Sequence, residues 1–118
     1  MSLKAQSDRP AVVVTVPPKW GILAEAGETV SSVRFECADG AYSYPYHTLS
    51  RWVLEGSMPE ILVIRAGSDR VIVCGRQLEQ IRDALDSGRL RVVRCTNERY
   101  GNGNVSTVVE RIVVEPEP

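Results

Sequence analysis

The chain has 118 residues, of which 43% are hydrophobic and 25% are charged, values typical of one average globular domain. Its 14 basic and 15 acidic residues give a formal net charge of -1, so it has no overall electrostatic attraction to nucleic acid or to anionic membranes. Three dispersed cysteines (Cys37, Cys74 and Cys95) and one histidine supply neither a disulfide framework nor the clustered ligands of a metal site. The sequence also lacks a Walker or GxGxxG pattern, and we expect no cofactor.

The N-terminal residues predict no secretory signal. Residues 1–10 are polar and lack the apolar segment of a secretory signal, and the apolar runs elsewhere are too short to span a membrane. We therefore expect a cytoplasmic protein with reduced thiols and no membrane partner. The predicted organisation is a flexible lead at 1–10, a single β-rich domain at 11–115 and a frayed tail at 116–118.

The first predicted elements precede residue 30. Residues 11–16 read AVVVTV, a β-branched run that predicts a strand and is stopped by Pro17 and Pro18. Residues 20–29 fit neither a strand nor a helix pattern clearly, and their conformation stays open.

A hairpin is predicted around Asp39-Gly40, because this dipeptide favours a two-residue type I′ turn between alternating strands. That register sets Phe35 opposite Tyr44 and predicts that both rings are mostly buried. His47 and Arg34 then point to solvent. One strand face carries an aromatic and apolar set: Val33, Phe35, Cys37, Tyr42, Tyr44 and Tyr46.

The middle of the chain predicts a second hairpin. Residues 48–55 fit either one or two turns of helix or an extension of the preceding strand. Residues 60–65 and 70–74 form two strands around a loop at 66–69, and both are apolar on both faces. Such strands are typical of central positions that are covered on both sides.

A single helix is predicted at residues 77–87, where Leu78, Ile81 and Leu85 recur at helical spacing. Arg82 and Asp86 lie four residues apart on its polar side, which favours an ion pair. Gly88 is a natural residue to end the helix.

A third hairpin is predicted from residues 90–99 and 105–115, joined by Gly101-Asn102-Gly103. The favoured register sets Arg94 opposite Glu110, because opposite charges stabilise cross-strand pairs. The predicted fold class is therefore mostly β (α+β). An antiparallel sheet of about seven strands either curls into a small barrel or splits into a sandwich, with the helix covering one opening.

Catalysis would depend on His47, the only histidine. In the predicted register, Cys37 faces the opposite side of the sheet, so a cysteine–histidine pair does not form. The other two cysteines lie in apolar strands, where a buried thiol is inert. We expect no enzymatic activity; the alternative is a small hydrolase or ligand-binding enzyme with His47 at the mouth of its site.

The tyrosine-rich face has two interpretations. The favoured one is that these rings fill the core, with each hydroxyl reaching a partner at its edge. The other is a platform that stacks RNA bases. Residues 65–99 carry eight arginines and five acidic residues, a local excess of +3 that suits the second interpretation.

Two stretches resemble the Sm/Lsm family of small β-barrels. They are Ala38-Asp39-Gly40 after a strand, and Val71-Ile72-Val73-Cys74-Gly75-Arg76 followed by Leu78 and Ile81. The resemblance implies a small barrel, assembly into rings, RNA binding at loops lining the pore, and a role for Arg76 in RNA contact.

The leading functional prediction is a non-enzymatic binding and assembly module that forms a homo-oligomer. The alternative is an RNA-binding barrel. Its candidate RNA- or ligand-binding residues are Arg76, Tyr42, Tyr44, Tyr46 and His47.

Overall fold

The computed structural model describes residues 18–96 and 106–117. This part of the chain contains eight strands and one α-helix. In chain order they are β1 (Gly21–Leu23), β2 (Ser32–Cys37), β3 (Gly40–Pro45), β4 (Leu49–Glu55), β5 (Glu60–Ala66), β6 (Asp69–Arg76), α1 (Glu79–Asp86), β7 (Leu90–Arg94) and β8 (Val108–Pro116).

The strands form two sheets of four. Sheet I has the order β1-β7-β2-β3, and sheet II has the order β4-β5-β6-β8. The mostly β fold class is confirmed, and over the described residues the sheets do not close into a barrel. The expectation of purely antiparallel pairing is wrong at one point, because β2 and β7 run parallel.

One hydrophobic core joins the inner faces of both sheets to α1. Sheet I contributes Val33, Phe35, Leu90 and Val93, sheet II contributes Leu62, Ile64, Val71, Val73 and Ile112, and the helix contributes Ile81, Ala84 and Leu85. Period-2 alternation explains the inward side chains of β2, β5 and β6, and the 3.6-residue period explains those of the helix. In β7, Leu90 and Val93 are three residues apart, and the register shift between Ile22 and Leu23 lets both face the core.

The helix is confirmed, although Glu79–Asp86 is shorter than the predicted 77–87. Gly88 has a φ of 71° just beyond its end, a backbone conformation that glycine adopts without steric cost. The predicted Arg82–Asp86 ion pair is wrong. Arg82 instead contacts Asp83 at 3.1 Å, while Asp86 accepts a hydrogen bond from Trp52 on β4.

The first hairpin forms with a register shifted by two residues. Its two-residue turn is Ala38-Asp39, so that Cys37 lies opposite Gly40 and Phe35 lies opposite Tyr42, rather than Tyr44. A shift of two preserves the parity of the strand, so the predicted set of inward side chains is the observed one. Phe35 and Tyr44 therefore still meet, diagonally, with ring centroids 6.1 Å apart.

The segments left open by the sequence have defined conformations. Residues 49–55 extend as β4, after a 3-10 turn at Tyr46–Thr48. Within 20–29, only Gly21–Leu23 forms a strand. The second hairpin forms as predicted but with a tighter loop, since Ala66 pairs with Asp69 across Gly67-Ser68. The strand predicted at 11–16 lies outside the described residues.

The third predicted hairpin is wrong. β7 pairs with β1 and β2 in sheet I, whereas β8 pairs with β6 in sheet II. Arg94 accordingly donates a hydrogen bond to Glu36 on β2 at 3.2 Å, and does not face Glu110. The predicted turn Gly101-Asn102-Gly103 lies outside the described residues.

The C-terminal residues lengthen sheet II. Pro116 ends β8, and the backbone N–H of Glu117 donates to the carbonyl of Ser68 at 2.8 Å. Residues 116 and 117, expected to be frayed, thus lie against the sheet, while Pro118 is outside the described residues. The helix in the described part of the chain is too short and polar to cross a membrane.

Candidate functional site

Tyr42 and Tyr44 lie on the inner face of β3, and Tyr46 opens the 3-10 turn that follows it. Tyr44 donates a hydrogen bond to a carboxylate oxygen of Asp69 at 2.8 Å, and Tyr46 donates to the carbonyl of Leu90 at 2.8 Å. Both rings are half-buried and pack against the hydrophobic core. The two rings therefore contact other residues of this chain, which supports the interpretation that the tyrosines fill the core.

Burial also governs the acidity of these hydroxyls. Removal from water raises the pKa of Tyr44 above its usual value, and the hydrogen bond to Asp69 raises it further. Burial likewise raises the pKa of Tyr46. Tyr42 is held near Asp39 by a 3.0 Å hydrogen bond that raises its pKa as well. All three hydroxyls thus act as protonated donors.

The structure separates the remaining predicted site residues. His47 is exposed in the 3-10 turn after β3. Arg76 is the last residue of β6, whereas Tyr44 contacts Asp69, the first. Seven residues of strand span about 23 Å, so Arg76 and Tyr44 do not form one site.

The expectation of buried thiols in apolar strands holds for Cys74 but is wrong for Cys95, which is exposed just beyond the end of β7. Partial burial raises the pKa of the Cys37 and Cys95 thiols, which disfavours the reactive thiolate. Across residues 18–96 and 106–117, no three His, Cys, Asp or Glu side chains are grouped as metal ligands.

The outer face of sheet II, which points away from the core, presents a regular arrangement of side chains. The strand registers align them in three rows that cross all four strands in the order β4, β5, β6, β8. The basic row is Arg51, Arg65, Arg70 and Glu115. The apolar row is Val53, Val63, Ile72 and Val113. The mixed row is Glu55, Ile61, Cys74 and Arg111.

The apolar row is accessible to solvent, and none of its members belongs to the core. Val53 is 39% exposed, and the other three side chains are half-buried. Four adjacent β-branched residues have high strand propensity, which accounts for the strands in which they lie. Strand propensity does not account for their position on a solvent-accessible face. An apolar stripe on the outside of a sheet is the kind of surface that proteins use for association.

The basic row is partly neutralised within the chain. Arg70 contacts Glu115 at 2.6 Å, and Arg65 lies 3.8 Å from Glu117. Arg51, at the edge strand, has no ion pair or side-chain hydrogen bond within the described ranges. A cleft of about 240 Å³ opens between the basic and apolar rows, lined by Arg51, Val53, Glu55, Val63, Arg65 and Arg70.

Sequence reasoning missed this face, although its signal was visible. The strands β5 and β6 are apolar on both sides, and their predicted central position is confirmed. The prediction that both sides are covered is wrong for the single chain, because Val63 and Ile72 remain partly open to solvent. An apolar second face that residues 18–96 and 106–117 leave partly open to solvent is also typical of a strand at an interface.

Comparison of the chain with protein-family models, curated proteins and solved structures found no match. The Sm/Lsm resemblance therefore stays a prediction.

Proposed function

We propose that this chain is a non-enzymatic binding and assembly module that associates with a second copy of itself through the outer face of sheet II. The observation that carries the proposal is the apolar row, with Val53 39% exposed at its edge. Its burial against another protein removes apolar surface from water, which is the main driving force for association.

The second copy is the favoured occupant because the face carries charges of both signs, with four arginines and two glutamates in its rows. Three arginines and one glutamate form the basic row, and the mixed row carries Glu55 and Arg111. A face that presents both signs around an apolar stripe can be complementary to itself, as an interface between identical surfaces requires. A strongly acidic or basic partner would match only part of it.

The dimensions of the face indicate weak association. Four strands span about 14 Å, and the basic and mixed rows lie about 13 Å apart. Such a contact belongs with the small interfaces of transient complexes. We expect a reversible dimer whose fraction rises between about 10 μM and 1 mM protein.

Sedimentation equilibrium of the full chain over this concentration range tests the proposal. Val53→Lys should leave a monomer, because it places a charge in the apolar row. Ile22→Lys is a matched control, since Ile22 is also 39% exposed but lies on β1 of sheet I. A parent that stays monomeric at 1 mM, or equal effects of the two substitutions, would contradict the proposal.

RNA binding is a second candidate, and the arginines of the basic row favour it. Arg51, Arg65 and Arg70 occupy adjacent strands at spacings of roughly 5 Å, and Arg51 has no ion pair in the described chain. Filter binding with mixed single-stranded RNA at low salt tests this candidate. Binding that weakens with salt and is lost in Arg51→Ala would support it, since phosphate contacts release counterions. Absent or salt-independent binding would exclude it.

A further inference from the structure

We infer that the two copies meet about a two-fold axis that runs along the apolar row, perpendicular to the strands, so that Arg51 of each copy pairs with the partner's Glu55. This inference rests on the proposed function and specifies its geometry. It follows from the three rows and from the limited number of ways in which two identical sheet faces can be related.

A two-fold axis that brings two copies of one face together lies in the plane between them. In aligned packing of two sheets the strands stay within about 30° of one another, and the axis then runs either along the strands or across them. An axis across the strands keeps β4 over the partner's β4 and reverses the order of the rows. Each basic row then lies over the partner's mixed row, and the apolar rows lie over each other.

This arrangement is complementary at both edge strands. On β4, Arg51 lies over the partner's Glu55, and on β8, Glu115 lies over the partner's Arg111. By symmetry each pair occurs twice. The central Arg65 lies over the partner's Ile61, where its aliphatic stem can cover apolar surface while the charge reaches water. The rotation between packed sheets displaces edge residues by about 5 Å, within the reach of an arginine side chain.

The other axis is less favourable. With the axis along the strands, each row lies over itself in reversed strand order. Arg65 then lies over the partner's Arg70, and this repulsive contact occurs twice. The edge strands do not distinguish the two axes, because here Arg51 lies over the partner's Glu115 and Glu55 lies over the partner's Arg111. The repulsion between Arg65 and the partner's Arg70 therefore decides against this axis.

Arg51 and Glu55 are well suited to test the geometry. They lie on one face of one strand, four residues apart, so about 13 Å separates their backbones within a single copy. Neither has an ion pair or side-chain hydrogen bond within residues 18–96 and 106–117. Coupling between them in a dimer would therefore come from contact between copies.

The experiment measures the dimer dissociation constant of the full chain by sedimentation equilibrium at about 50 mM salt, where exposed pairs are little screened. The variants are Arg51→Glu, Glu55→Arg and the double exchange, each checked for an unchanged melting temperature. We expect each single variant to dimerise about tenfold more weakly, because like charges then meet twice. The double exchange should restore the parent value.

A double exchange that remains weaker than either single variant would overturn this geometry. Rescue of Arg51→Glu by Glu115→Arg would also overturn it, by assigning the axis along the strands. Failure of the proposed function has a different signature: the parent would stay monomeric at every concentration, or Val53→Lys would dimerise as strongly as the parent.

Discussion

The indole N–H of Trp52 donates a hydrogen bond to a carboxylate oxygen of Asp86 at 2.7 Å, which ties β4 to the last residue of α1. A carboxylate at this end of a helix faces the negative end of the helix dipole. The bond from Trp52 offsets that unfavourable position and anchors the helix to sheet II.

Trp52→Phe should therefore lower the free energy of unfolding by about 1 kcal/mol, or about 4 °C in melting temperature. The phenyl ring is smaller than the indole, so some of the loss reports packing against the core, and comparison with Asp86→Ala isolates the hydrogen bond. Combining Trp52→Phe with Asp86→Ala should add little further loss, because the two changes remove one interaction. Strictly additive losses in thermal melts would show that the two side chains are not coupled.

Tyr44→Ala should destabilise the domain by about 2–3 kcal/mol. The half-buried ring contacts Phe35 at a centroid distance of 6.1 Å, and its hydroxyl bonds Asp69. The loss is smaller than for a fully buried ring because part of Tyr44 is already in water. His47→Ala is the control and should change stability by less than about 0.5 kcal/mol. Equal denaturation midpoints for the two variants would contradict the core role of Tyr44.

Stability should fall at alkaline pH because of Tyr44. Its pKa in the folded chain is raised by burial and by Asp69, above the value of about 10 in an unfolded chain. The stabilisation is therefore complete below about pH 10 and is lost as the pH rises further. Urea denaturation between pH 7 and pH 11 should show a shallower decline in Tyr44→Phe than in the parent. Parallel declines would rule out this contribution.

Gly75→Ala should be among the most damaging single substitutions in the described strands. A Cβ at this position would overlap the carbonyl oxygen of Val108 on the neighbouring strand, where the β6–β8 register shifts. Relief of that clash would separate two hydrogen-bonded strands of sheet II. Gly56→Ala is the matched control, since a Cβ at that position would have no atom of the described residues within 4 Å apart from its chain neighbours. A Gly75→Ala variant that melts with the parent would disprove the close approach.

Local patterns were sufficient to predict the helix, the first two hairpins and the inward tyrosines. Parity explains why the inward set survived a wrong register, since a shift of two residues returns each side chain to its face. The turn moved from Asp39-Gly40 to Ala38-Asp39, which leaves Gly40 as the first residue of β3 with a φ of 148°.

The errors arose where distant parts of the chain compete. The third hairpin had a plausible turn and a favourable Arg94–Glu110 pair, yet β7 found two strands of sheet I as neighbours. Glu36 replaces Glu110 as the partner of Arg94, and no local signal identifies it. The rows on the outer face of sheet II could not be predicted for the same reason. The alignment of Val53, Val63 and Val113 depends on strand registers that the local sequence does not give.

The parallel pairing of β2 with β7 has a consequence for the order in which the protein assembles. Arg34 on β2 pairs with Val92 on β7, nearly sixty residues later in the chain. The two central strands of sheet I therefore cannot pair until β7 has been synthesised. β4, β5 and β6 are joined by short connections and can associate as soon as they leave the ribosome. Until β7 has been synthesised, Phe35 on the β2–β3 hairpin lacks this neighbouring strand and can contact other chains. Nascent chains that lack β7 would therefore be the species most prone to aggregation, and the most dependent on chaperones.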